Sequence, residues 1–240
     1  GTGGLLHKIE GTNFTGSLLI GHSTTGTLND AQGNVGIGIG ALDALTSADN
    51  NIAIGRNAGT ALTSGVANIA IGHEALKSED TTGGNVAIGF RSLKNQNASS
   101  SAYNVAIGYQ AGQSITTGNQ NTIVGNLAGD ALNSGQYNTL VGYRALTEAG
   151  DGSRNTAMGW SSLRSVTGSG SRYNTAFGFS SGENISSGIQ NTIIGGLAGD
   201  ALTTGSNNTI IGYGSDASAV DVSNEVTIGN SSITNVRIPS

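Results

Sequence analysis

The chain has 240 residues and a formal net charge of −5, with 40 glycines, one proline and no cysteine. Only 10% of its residues are charged and 5% aromatic, which excludes an ordinary core of large side chains, disulfide or thiolate chemistry, and a basic surface for nucleic acid. The bias leaves a disordered low-complexity chain or a tightly wound repeat, and the low net charge with regularly placed Ile, Val and Thr selects the repeat.

In chain order, residues 1–33 read as a lead-in. It contains no basic segment ahead of an apolar stretch, so no signal peptide is expected. No apolar run anywhere approaches the roughly 18–20 residues needed to cross a bilayer, so no membrane insertion is expected either. "SLLIG" at 17–21 is a degenerate first copy of the unit that repeats from residue 34, with Ser17 in place of Asn.

Residues 34–223 form the repeat region. An Asn that opens "NxxxG" stands at Asn34, Asn51, Asn68, Asn85, Asn104, Asn121, Asn138, Asn155, Asn174, Asn191 and Asn208, and the same marker is read at Asn224. The step is 17 residues, except for 19 after Asn85 and after Asn155 and 16 before Asn224. Asn34, Asn104 and Asn174 are 70 apart, so four units make a larger cassette, and "NLAGDAL" at 126–132 returns as "GLAGDAL" at 196–202. Fixed periods of this size mean a solenoid.

The unit core is short, β-branched and bounded by Gly, which predicts a strand. A unit of 17–19 residues with Gly near both ends leaves no room for a normal helix. The expected fold is all-β: a parallel β-solenoid whose turns stack at about 4.8 Å, thirteen of them making a rod of roughly 60 Å. The fourth motif position (Ile54, Ile71, Ile88, Ile107, Val124, Val141, Met158, Phe177, Ile194, Ile211) and the third (Ala53, Ala70, Ala87, Ala106, Ile123, Leu140, Ala157, Ala176, Ile193, Ile210) point to opposite faces. Both columns are apolar, and a thin coil has one interior, so the second face is expected to meet copies of itself in an elongated homotrimer.

Three residues past the motif Gly every turn carries Ala or Ser. One residue further stands either Leu (Leu76, Leu93, Leu146, Leu163) or Gly (Gly59, Gly112, Gly129, Gly182, Gly199). Where it is Gly, Leu62, Ile115, Leu132, Ile185 or Leu202 comes three residues later, so one aliphatic group is expected to fill a common void from two backbone positions. Leu45 and Val166 blur the rule. The Asn column (Asn104, Asn121, Asn138, Asn155, Asn174, Asn191, Asn208) is expected to hydrogen-bond along the stack, since buried turn groups need partners.

Candidate chemistry is sparse. "GIGIG" at 36–40 lacks the strand–GxGxxG–helix context of a phosphate loop and falls in the repeat register. His7, His22 and His73 form no metal-ligand pattern and read as surface histidines, and no cofactor is expected. Asp130, Asp151, Glu183 and Asp200 read as solvated turn residues, although paired carboxylates across turns can hydrolyse glycosides. The Thr column (Thr122, Thr139, Thr156, Thr175, Thr192, Thr209) is continued by Ile52, Ile69, Val86 and Val105, which fits burial better than an ice-binding face. Phe90, Tyr109, Tyr143, Trp160, Phe179 and Tyr213 each come directly after a motif Gly and make a partial aromatic ladder. Its readings are packing or a sugar-binding surface, and Tyr109, Tyr143, Trp160, Phe179 and Tyr213 are the candidate receptor contacts.

Turns such as "NIAIGRNAG", "NVAIGYQAG" and "NTAFGFSSG" resemble the head repeats of trimeric autotransporter adhesins, left-handed parallel β-rolls with shorter units. The chain is also similar, over 17–240, to repeat regions of bacteriophage tail fibres and tailspikes, including "NEVTIGNSSITNVRI" at 224–238. In that family such a segment precedes a peptidase S74-type intramolecular chaperone, which assembles the trimer and then cuts itself away. The resemblance implies that the C-terminal segment 224–240 ends at an autocleavage site, with Ser240 as the cleavage-position nucleophile, and that the mature chain is not an enzyme. It further implies a virion-tail shaft that attaches to a host-surface glycan or protein receptor. The alternatives are a bacterial surface adhesin head, a polysaccharide-degrading spike and an ice-binding solenoid.

Overall fold

The computed structural model describes residues 7–11, 14–21, 28–148, 150–235 and 237. His22 and Ser240, singled out in the sequence, lie outside them. No helix occurs among the described residues; the chain winds into a parallel β-solenoid of about 12 turns.

Each turn contributes one three-residue strand, such as Ile52–Ile54, Thr122–Val124 or Thr192–Ile194. The strands pair in parallel, position for position, with Ile52 against Ile69 and Thr192 against Thr209. Together with the N-terminal strands they make a 15-stranded sheet. The degenerate "SLLIG" copy joins in register, Leu18 pairing with Val35 and Ile20 with Ile37. The strand His7–Gly11 then pairs antiparallel with Phe14–Ile20 and covers the first edge of the sheet, which would otherwise offer unpaired backbone groups to other chains.

The third motif position, the middle residue of each strand, faces inward. Ala53, Ala106, Ile123, Leu140, Ile193 and Ile210 are fully buried, as are the small residues three beyond the motif Gly, from Ala41 to Ala198. The either-or filling holds in most turns: Leu76, Leu93 and Leu146 in one type, Leu62, Ile115, Leu132, Ile185 and Leu202 in the other, all buried in one continuous core. Leu42 with Leu45, and Leu163 with Val166, fill both places in their turns. A Cβ on Gly112 would meet Ile115 Cδ1 at 3.0 Å, so the two backbone positions do address one space.

The second and fourth motif positions, the two ends of each strand, both face outward. The Thr column, read from sequence as buried, lies on this outer face, because residues two apart in a strand share a side. Neighbouring rungs cover roughly half of each outward aliphatic side chain, leaving Ile37, Ile54, Ile107, Ile194 and Ile211 exposed along the rod.

The Asn column is interior and satisfied on all sides. Asn138 donates its backbone N–H and its Nδ2 to Asn121 Oδ1 at 2.9 and 3.0 Å, and its second Nδ2 hydrogen reaches Gly152 O at 2.9 Å. Its own Oδ1 accepts the same pair of bonds from Asn155. The 19-residue turns interrupt only the side-chain link. Asn104 keeps its backbone bond to Asn85 Oδ1, but its Nδ2 turns to Gln96 Oε1 at 2.7 Å; Asn174 keeps only the backbone bond to Asn155. The 70-residue cassette is therefore one unbroken run of four asparagine amides. The two extra residues come after Asn97 and Thr167, which still pair across 19 residues with Thr116 and Ser186, and before Asn104 and Asn174.

The ladder ends differently from its sequence reading. Val226 pairs with Thr209 and Ile228 with Ile211, so the step into the last strand is 17 residues and Glu225, rather than Asn224, takes the ladder position. Glu225 N–H donates to Asn208 Oδ1 at 2.9 Å. Asn224 instead aligns with Asn207, both in the left-handed region, and accepts a bond from Asn207 Nδ2.

Candidate functional site

Chemistry-bearing side chains collect on the loop after each motif Gly. That Gly has φ between 127° and 144° from Gly38 to Gly212, and its stacked copies pass within contact of one another. A Cβ on Gly142 would lie 2.3 Å from Gly159 O. The next residue is thereby thrown outward at the same place in every rung, giving the column Ile39, Arg56, His73, Phe90, Tyr109, Asn126, Tyr143, Trp160, Phe179, Gly196, Tyr213.

Because rungs repeat at about 4.8 Å, rings in successive rungs meet face to face. His73 stacks on Phe90 and Phe90 on Tyr109, each with centroids 5.2 Å apart. Trp160 stacks on Tyr143 at 6.2 Å and on Phe179 at 4.8 Å. These are two triplets with their edges in solvent and their inner faces covered. Asn126 divides them; its Oδ1 folds back onto Tyr109 N–H at 2.9 Å. Beyond Phe179, Gly196 leaves a gap before Tyr213. Of the candidate receptor contacts, Tyr109 therefore belongs to the first triplet, Tyr143, Trp160 and Phe179 to the second, and Tyr213 stands apart. His73, read as a surface histidine, is a member of the ladder; its place directly after Gly72 was the available signal.

A second aromatic column precedes the buried Asn. Arg154 lies between Tyr137 and Tyr173, 5.0 and 5.6 Å from their centroids. Sequence reading missed it, as it missed Glu74, whose carboxylate gathers Lys77 (3.0 Å), Arg91 (2.9 Å) and Lys94 (3.1 Å). The hydrogen bond from Lys77, with those of Lys94 and Arg91, outweighs burial and holds Glu74 down at about 2. Glu79 was also missed. It is fully buried at the filler position of its turn; Oε1 accepts the Asp80 and Thr82 N–H groups at 3.1 and 3.0 Å, and Oε2 has no partner.

Of the carboxylates weighed for hydrolysis, Glu183 and Asp200 lie close enough to interact, with Asp216 beside Asp200. Asp151 accepts Ser134 Oγ at 2.7 Å, and Glu183 pairs with Arg164 at 3.1 Å. Burial raises Asp130 above its usual range. Asp200 is raised by burial first and then by the negative charge of Asp216 and Glu183. Among the described residues, no group of three or more His, Asp or Glu side chains is disposed to hold a metal ion. No known protein family, curated protein or solved structure matches the chain.

Proposed function

We propose that this chain is the shaft of a homotrimeric attachment fibre, of the kind carried on a bacteriophage tail, which places a receptor-binding surface against a host cell. The observation that carries this reading is the outer strand face. Ile37, Ile54, Ile107, Ile194 and Ile211 leave an apolar stripe along the rod that no other described residue covers, and burying such a stripe between copies is favourable by about 25 cal/mol per Å². The similarity of the repeats and of the segment 224–238 to tail-fibre sequences supports the same reading. The role is mechanical and multivalent, since three copies of one weak site gain through effective concentration. It is non-catalytic in the mature chain, and its partner is a surface glycan or protein.

The test is adsorption of labelled protein to a panel of intact bacteria, with release of reducing sugar monitored in parallel. Saturable adsorption to some strains without sugar release is expected. Adsorption to none would remove the attachment role, and sugar release would replace it with a degrading spike.

A further inference from the structure

We propose that Gly196 opens a carbohydrate-binding slot between the rings of Phe179 and Tyr213, sized for one uncharged pyranose. The slot rests on the attachment reading and names the ligand class for it.

The backbone does not call for glycine at this place. Gly195 beside it has φ 135°, and a Cβ there would lie 2.4 Å from Gly212 O. Gly196 lies outside the left-handed region, and the atoms nearest to an added Cβ are Tyr213 Cδ2 at 3.5 Å, Tyr213 Cε2 at 3.8 Å and Phe179 O at 4.0 Å, all ordinary contacts. A ring at 196 would simply continue the ladder. Its omission leaves an opening in a column that is otherwise filled.

Two rungs separate the flanking rings, about 9.6 Å at the spacing of stacked strands. Carbon contact at roughly 3.5–4.0 Å from each ring face leaves a layer about 2 Å thick for ligand atoms. A single saturated ring fits that layer and touches both walls. The walls are open: Phe179 is 53% and Tyr213 72% exposed, the latter the most exposed ring of the column.

The floor supplies a donor. At the cassette-equivalent position Asn126 Oδ1 caps the backbone N–H of the preceding rung, that of Tyr109. Gly196 has no side chain to do this for Phe179, whose N–H has no partner among the described residues.

Charge selects against anions. Residues 173–236 contain no Lys, Arg or His, and carry Asp200, Asp216, Asp221 and Glu225 besides Glu183, which is paired with Arg164. Phosphate- or sulfate-bearing chains, nucleic acids included, are repelled by this field, which leaves neutral sugars.

The experiment titrates the intact protein with neutral oligosaccharides of glucose, galactose, mannose and N-acetylglucosamine, with a heparin oligosaccharide and polyuridylate as anionic probes. At least one neutral probe is expected to bind. Gly196→Phe closes the slot, Gly196→Asn copies the floor found at Asn126, and Tyr213→Ala removes a wall; each is expected to weaken that binding tenfold or more. Gly196→Phe is expected to melt no lower than the parent, which separates a lost site from a lost fold. Binding of no neutral probe, equal binding by Gly196→Phe, or preference for an anionic probe would each overturn the slot. Cell adsorption that survives in Gly196→Phe sinks the slot and leaves attachment standing. Neutral-sugar binding without adsorption to any cell does the reverse.

Discussion

Asn138 hands its side-chain amide to Asn121 Oδ1 at 3.0 Å while its backbone N–H uses the same oxygen at 2.9 Å. Each rung thus fixes the next through a buried amide with no unsatisfied atom, a stable use of a polar group in an interior. Asn138→Ala leaves Asn155 N–H, Asn155 Nδ2 and Gly152 O without partners. At about 1–3 kcal/mol for each buried orphan, the variant is expected to lose at least ~3 kcal/mol, read as a lowered denaturant midpoint. An unchanged midpoint would mean that the ladder is ornament.

Gly142 has φ 139°, and an added Cβ would sit 2.3 Å from Gly159 O. Gly142→Ala forces adjoining rungs apart and is expected to cost ~3 kcal/mol or more. Gly196→Ala, without either constraint, is expected to melt within a degree or two of the parent. Thermal melts of the two variants side by side check the contrast.

The either-or core predicts a rescue. Ile115→Ala empties the filler position, at a cost of about 2–5 kcal/mol. Gly112→Leu alone crowds Ile115, Ile123 and Leu93, whose methyl carbons lie 3.0–3.1 Å from an added Cβ. The double variant rebuilds the turn type of Leu76 and Leu146, whose φ values of 49° and 50° show that Leu is accommodated there. Its denaturation midpoint is expected to recover at least half of the loss seen in Ile115→Ala. Simple addition of the two single losses would refute a shared void.

Glu74 sets an acid limit on the first cassette. Its folded-state pKa of about 2 lies below the ordinary 4.5. The unfolded chain therefore binds the proton first on acidification. The contribution is whole above about pH 4.5 and is lost as the pH falls toward 2. Melting temperature is expected to drop over that window, and Glu74→Gln to flatten part of the drop; an unaltered slope would show that the three cations do not act through this carboxylate.

Much of this architecture was legible because a solenoid writes its geometry as a period. The strand triplets, the asparagine column and the alternation between Leu76-type and Ile115-type filling come from spacing alone. The inner side of the strand did not: Ala53 and Ile54 both belong to apolar columns, and hydropathy cannot rank two apolar faces. The last rung was misregistered because Asn224 imitates the marker, while a carboxylate, Glu225, accepts the bonds of Ser218 and Thr227 in its place. For the candidate site, the ladder of Tyr109, Tyr143, Trp160, Phe179 and Tyr213 was visible, and so was His73 once numbered from Gly72. The gap at Gly196 was hidden by a composition in which glycine is commonplace; its ordinary backbone angle sets it apart from the neighbouring motif glycines such as Gly195.

An attachment fibre of this design requires three chains that cover one another's outer apolar stripe. Sedimentation equilibrium at micromolar concentration measures this most directly. A single species at three times the chain mass of 23.9 kDa is expected, and it should persist on dilution. A monodisperse species of one chain mass, with the stripe of Ile54, Ile107 and Ile194 left in water, would contradict it.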